Sequence, residues 1–489
     1  MKIRRKLDVV GVTAAFAFTA PVLVSAQVST NSVNLAKDGS PAPASAAATN
    51  APLVIEQLPA ASSAQRWNFH IQNTDIVQGY TPFHSQYTGP NSLPDGGQTR
   101  ESVSLDLMAG VHLWPGAEAH IDAMMWQGFG VNNTLGIDAF PNGEAFRLGT
   151  EVPNGTISRL FIRQNIGFGG DQEDVADDQF DLAGKRDISR LTITAGRFSA
   201  KDIFDNNAYA NDPRTQFMNW GLMANEAWDY PADAIGFDTG IAFELNQPKW
   251  TLRYGFFQMP RYPNNLTAED RLITWPVQDS GQDGPILKTW GMVAEIERRY
   301  AMADHPGTIR FLAFVNRANM AYYKDATAIL LAGGPNADFS AARAYHYKYG
   351  FGLNWEQEIA KNVGVFSRLG WNDDQEEGFV FSDVGKAASF GVSVQGGYWK
   401  RPDDVFALAG IVSGISKSAQ DFFAAGGTGI LAGDGNLDYG WEKVVETYYD
   451  LKVWKTIHLA VDYQFINDPG FNQARGPVSV FGARLHWEF

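Results

Sequence analysis

Cysteine is absent from the 489 residues, which excludes disulfide cross-links, thiolate-ligated zinc and thiol nucleophiles. Basic residues are scarce beside acidic ones: 39 Lys and Arg face 54 Asp and Glu, a formal net charge of -15. That balance provides no footprint for a phosphate backbone, so nucleic acid is excluded as a partner. The eight histidines show no HExxH or paired spacing, which argues against a metal centre. Gly167-Phe168-Gly169-Gly170 is a glycine cluster with no apolar helix after it, so it does not read as a phosphate cradle. Acids at 171–181 could ligate Ca²⁺ through oxygen, but read more simply as a solvated loop. No spacing singles out a carboxylate pair for glycoside hydrolysis. The expectation is a protein without cofactor, metal or catalytic step.

Long apolar runs are also missing beyond the N-terminus. Lys2, Arg4, Arg5 and Lys6 precede an apolar stretch from Val9 to Val24 that ends in Val24-Ser25-Ala26, the pattern of a secretory signal peptide cut after Ala26. Residues 27–65 are rich in Ala, Ser and Pro and read as a periplasmic linker unable to bury a core. After that no run of about 18 apolar residues occurs, so a membrane-inserted chain must cross as a β-barrel.

What is abundant is period-2 alternation. Val103, Leu105, Leu107, Ala109, Val111 and Leu113 alternate with smaller or polar residues that include Asp106. Ile235, Phe237, Thr239, Ile241, Phe243 and Leu245 repeat the pattern, as do Ile457 to Phe465 and Phe481 to Phe489. Eleven residues suffice for a tilted strand to cross a bilayer. Sixteen such segments begin near residues 66, 102, 117, 157, 190, 235, 250, 289, 308, 346, 363, 388, 405, 442, 457 and 477. Short connections such as Trp114-Pro115-Gly116 alternate with long ones, as periplasmic turns and external loops do in bacterial barrels. Residues 169–190 break the rule, being long where a short turn is due. The predicted fold is an all-β, antiparallel transmembrane barrel of about 16 strands over residues 66–489. A secreted β-sandwich or propeller, acting as a sugar-binding protein or enzyme, shares the alternation but not the ordered loop lengths.

Three stretches carry a family resemblance: Gly196-Arg197-Phe198 with Asp202 and Phe204-Asp205-Asn206-Asn207; Asp212-Pro213-Arg214 with Gln216-Phe217-Met218-Asn219-Trp220 and Asp229-Tyr230-Pro231; and Asp462-Tyr463-Gln464-Phe465 through Asn467-Asp468-Pro469-Gly470 to Arg475-Gly476-Pro477 and Phe489. Together they resemble the carbohydrate-selective porins of the OprB type. The resemblance implies an outer-membrane barrel that admits sugars or polyols by diffusion through a narrowed, charged and aromatic lumen. A porin for carboxylates is the alternative within that fold.

If the apolar faces meet lipid, the opposite faces line the pore. Arg159, Arg163, Arg253, Arg310 and Arg368, with Asp106, Asp122, Glu244 and Glu295, are then wall candidates for hydrogen-bonding sugar hydroxyls. Residues 198–234 form the longest external loop and are expected to fold inward as the constriction, with Arg197 at the base and Asp205, Asn207 and Arg214 within it. Trp126, Trp220 and Trp228 are candidates for stacking on pyranose faces. Phe489 would offer an outward aromatic to the barrel assembly machinery, and the sequence leaves open whether the porin is a monomer or a homo-oligomer.

Overall fold

The computed structural model describes residues 65–145, 149–233, 235–261, 263 and 285–489; the expected signal peptide and all of the linker but residue 65 lie outside them. Eighteen strands are assigned there: β1 (Trp67–Tyr80), β2 (Gln98–Trp114), β3 (Ala117–Gly128), β4 (Thr150–Gly167), β5 (Gln172–Val175), β6 (Gly184–Asp187), β7 (Arg190–Phe198), β8 (Asp238–Gln247), β9 (Trp250–Gln258), β10 (Trp290–Met302), β11 (His305–Ala321), β12 (Arg343–Ala360), β13 (Val363–Asn372), β14 (Lys386–Gln395), β15 (Val405–Gly414), β16 (Glu442–Trp454), β17 (Ile457–Asn467) and β18 (Val478–Glu488). Sixteen close into one antiparallel barrel in which β1 pairs with both β2 and β18, while β5 and β6 form a separate hairpin. Among the described residues no helix is long and apolar enough to cross a membrane.

The alternation seen in the sequence is the barrel's inside and outside. Along β2, Leu107, Val111 and Leu113 are exposed on the outer face whereas Ser102, Ser104, Asp106 and Met108 are buried within. Along β18 the outer row is Phe481, Ala483, Leu485 and Trp487, and Arg484 and His486 point inward. A barrel in lipid satisfies every ladder group and leaves no edge, so only the outer side chains have to suit hydrocarbon. Exposed aromatics collect at the two ends, Trp67, Trp114 and Trp454 at the short-turn end and Tyr347, Trp371 and Trp441 at the other, matching interfacial girdles.

Local chemistry explains the short turns. Gly116, between β2 and β3, sits at φ +77°, and a Cβ there would come 2.2 Å from the Asn165 carbonyl oxygen, so only glycine fits. Phe237, expected on the lipid face, lies one residue before β8 and is buried at 6% exposure; the strand starts later than the alternation suggested because the Asp233 carboxylate accepts the Phe237 N–H and the Phe237 carbonyl oxygen accepts the Asp233 N–H.

The 169–190 segment, unexplained by the sequence pattern, is the β5–β6 hairpin. Its tip turns back into the short-turn mouth. Asn68 Nδ2 donates to Asp177 (2.9 Å), Arg163 to Asp181 (3.0 Å) and to the Phe180 carbonyl, and Gln179 to Gln72 and Glu488. The Phe180 ring packs 6.0 Å from Phe161 and 6.2 Å from His120.

Candidate functional site

The lumen is filled from the long-loop side. The loop between β7 and β8 runs inward and meets wall residues from opposite sides of the barrel. Glu295 (β10) accepts the Asp205 amide at 2.8 Å, Glu356 (β12) the Ala208 amide at 2.6 Å, and Glu446 (β16) the amides of Met218 and Asn219 at 2.6 and 3.0 Å. Arg368 (β13) donates to Asp205 Oδ1 (3.1 Å), and Arg484 (β18) donates to the carbonyls of Pro213 and Gln216. A backbone segment in a narrow interior needs partners for its amides, and inward carboxylates supply charge-assisted ones. A second loop, between β3 and β4, is held likewise, with Glu442 accepting from Asp138 and Ala139.

Apolar residues of the loop complete the seating. Trp220 opens a short helix, α1 (Trp220–Met223), capped by Asn219. Its ring stacks at 5.3 Å on Phe140, and Trp228 packs on Tyr230 and Phe204. Trp220 is 3% exposed and Trp228 fully buried, so neither offers a face to a sugar, contrary to expectation; burial of such rings, about 1.5–3 kcal/mol each, holds the loop down. Trp126 keeps the inward register position opposite Ser104 and is half-buried.

The wall candidates divide in the same way. Asp205, Asn207, Glu295, Arg310 and Arg368 are buried against protein partners and serve as anchors, not as open lining. Asn207 donates to Asn354, and Arg310 bridges Glu297 and Glu356. Arg197 takes an outward register position opposite Leu160 and Thr239, and donates to the Ile157 carbonyl and to Asp233. It fixes the loop's far end. Asp106 and Asp122 are buried behind the lining, where Asp106 accepts from Gln72 and Asp122 from Ser158.

Four inward arginines remain half-buried, and each meets a carboxylate. Arg159 bonds Asp202 at 2.7 and 2.8 Å and Asp122 at 2.8 Å. Arg163 bonds Asp181, Arg214 bonds Glu144 at 2.9 Å with Asp106 at 3.5 Å, and Arg253 bonds Glu244, Glu295 and Glu297. A β-bulge at Ser158 lets both Ser158 and Arg159 face inward, which is why Arg159, Phe161 and Arg163 share the interior. Phe180 and Phe237 each lie 4.8 Å from the Arg159 guanidinium. Asp202, Glu144, Phe180 and Phe237 were not singled out as lining; the Ser199-x-x-Asp202 capping box is a local sign for Asp202, whose side chain also caps the Ser199 amide.

Charge inside the loop is finely balanced. Burial alone would raise the Asp205 carboxyl, but Arg368, Lys201, Asn354 and the Asn225 amide outweigh it and hold it at about 2. Burial lowers Lys201 to about 8, with Asp205 opposing the shift and Arg368 adding to it. Burial would likewise lower Arg214, but Asp106, Glu144 and Asp212 raise it well above the ordinary arginine value. Among the described residues no group of His, Asp and Glu is placed to hold a metal.

A closed sixteen-stranded barrel with an apolar exterior and inward-folded loops defines an outer-membrane porin, a channel in design. The chain belongs to the carbohydrate-selective porin, OprB family, whose model matches residues 91–489. The fold is similar to that of the high-pH structure of Pseudomonas putida OprB, at 16% identity over 87% of this chain and 94% of that one, with a TM-score of 0.63. The low-pH structure of the same protein aligns at 12% identity over 87% and 93%, TM-score 0.46, and Pseudomonas aeruginosa OccK2 in complex with glucuronate at 9% over 86% and 98%, TM-score 0.41. No curated protein matches the chain in sequence.

Proposed function

We propose that the protein passes neutral carbohydrates, mono- or oligosaccharides or polyols, by diffusion across the bacterial outer membrane. The observation that carries this reading is the pairing of every half-buried lumen arginine named above with a carboxylate. A paired lining presents many donors and acceptors with little net field, which suits hydroxyl groups. An unpaired arginine ladder would instead favour carboxylates. Trp126 supplies an aromatic face in the same interior. Family membership supports the same solute class.

The test is swelling of proteoliposomes in isosmotic hexose, polyol and hexuronate. Neutral hexoses and polyols are expected to enter faster than a hexuronate of equal size, at unchanged pore size. Equal or faster entry of the hexuronate would establish the carboxylate reading instead.

A further inference from the structure

The geometry points to a binding site for the phosphate headgroup of an anionic glycerophospholipid at the short-turn rim between β14–β15 and β16–β17. Because β15 pairs with β16, from Val405 opposite Asp450 onward, the two turns meet at one end of the barrel. They enclose a cleft of about 310 Å³ bearing Lys400, Arg401, Lys452 and Lys455 against two carboxylates, Asp403 and Asp404. This is a local cation excess in a chain of net charge -15. Of the other short turns, 114–117 and 302–305 bring no Lys or Arg to the same rim, and 247–250 and 360–363 bring one lysine each, Lys249 and Lys361.

The two carboxylates are already engaged. Asp404 accepts from Arg401, the Tyr449 hydroxyl and the Lys452 amide, and Asp403 lies 3.4 Å from Lys452 Nζ. Among the described residues neither Lys400 nor Lys455 meets a carboxylate within 4.0 Å; Lys455 lies instead over the Trp454 ring. Two uncompensated ammonium groups flank a cleft whose fixed charges are neutralised in pairs, and a phosphodiester supplies the missing negative charge.

The surroundings select a lipid over a free anion. Tyr398 and Trp454 are more than three-fifths exposed, as interfacial aromatics are. Beyond them Phe406, Leu408 and Val453 continue the exposed outer wall, where acyl chains would lie once the headgroup sits in the cleft. By the loop-length rule this end is periplasmic, which faces the inner leaflet.

Lys400 and Lys455 both occupy positive φ, 64° and 34°, a region asparagine tolerates. Lys400→Asn with Lys455→Asn therefore removes charge while respecting the turns. By native mass spectrometry the full-length barrel is expected to retain phosphatidylglycerol about tenfold over phosphatidylcholine, and the double variant to lose that preference with conductance unchanged. In nanodiscs of wild-type protein, phosphatidylglycerol should slow acetylation of Lys400 and Lys455 but not of Lys417, which is far exposed on a long-loop helix. Three results would overturn the proposal: undiminished retention by the variant, equal acetylation in both lipids, or displacement of phosphatidylglycerol by millimolar inorganic phosphate, which would mark a free-anion site.

Discussion

The guanidinium of Arg159, on the barrel wall, lies 4.8 Å from the ring of Phe180, which the β5–β6 hairpin carries in from the opposite mouth. The hairpin therefore supports a lining residue from below while Phe237 and Asp202 hold it from the loop side. Val175 and Gly184 are register partners, so replacing residues 176–183 by Asn-Gly closes the hairpin with a turn suited to its twist. The variant is expected to fold, to show higher single-channel conductance, and to discriminate less between solutes of similar size. Planar-bilayer recordings check this; unchanged conductance would place the tip outside the conduction path.

Arg368 and Asp205 form a buried pair, each side chain 3% exposed. Removing one partner of such a pair costs up to about 3–5 kcal/mol, although here Lys201, Asn354 and the Asn225 amide still hold Asp205. Arg368→Met should still destabilise and free the inward loop, raising conductance. Arg368→Met with Asp205→Asn should cost less than the sum of the two single changes, with Lys201 losing its carboxylate in both variants that lack Asp205. Urea unfolding of the barrel in vesicles measures the cycle, and simple additivity would argue that the pair does not anchor the loop.

Strand positions were legible in the sequence because one face of each strand meets hydrocarbon, so alternation survives along the whole chain. Segments expected to begin at 117, 190, 250, 363, 405, 442 and 457 begin there. The site was less legible, since inward residues do two kinds of work. Glu295 and Glu244 obey the same alternation, yet Glu295 caps a loop amide and Glu244 stays half-exposed beside Arg253. Only the path of the loop separates them. Trp220 and Trp228 looked like solute platforms because tryptophan in a loop reads as surface, but here the loop lies inside a barrel and has a core of its own. The β5–β6 hairpin had no periodic signature long enough to announce a strand pair.

Adjacent residues on β2 test the face assignment. Leu107 is exposed outward near mid-strand, so Leu107→Arg should cost about 2–4 kcal/mol in refolding into lipid vesicles. Asp106→Asn retains an acceptor for Gln72, and its cost should stay near 1 kcal/mol. Its effect is electrical instead: Arg214 loses one of the two carboxylates it pairs with, Asp106 and Glu144, so reversal potentials should shift toward anions.

Lys201 gives a pH dependence. Its folded value of about 8 lies below that of an unfolded lysine, so the folded protein releases the proton first, and folding is favoured increasingly as pH rises from about 8 to about 10.4. Losing that charge beside Asp205 leaves the interior more negative. Cation over anion permeability should therefore rise between pH 7 and 9, and Lys201→Met should show the high value at both ends. A flat wild-type profile would show that Lys201 keeps its proton throughout.

Asp202 decides whether charge pairing sets solute choice. Its carboxylate takes two hydrogen bonds from Arg159 and caps the Ser199 amide. Asp202→Asn keeps an acceptor for the amide but removes the charge, leaving Arg159 with the buried Asp122 alone. The local balance moves by one unit toward positive in an interior of low effective dielectric, where one unpaired charge acts over several ångströms. The ratio of hexose to hexuronate entry should fall severalfold, by raised hexuronate flux with hexose flux nearly constant. Stability should change by only about 1 kcal/mol, since Arg159 keeps Asp122 and both aromatic neighbours. A ratio that stays at the wild-type value in a stably folded variant would move the selective step away from Arg159, toward the Arg253–Glu244 pair on β8 and β9.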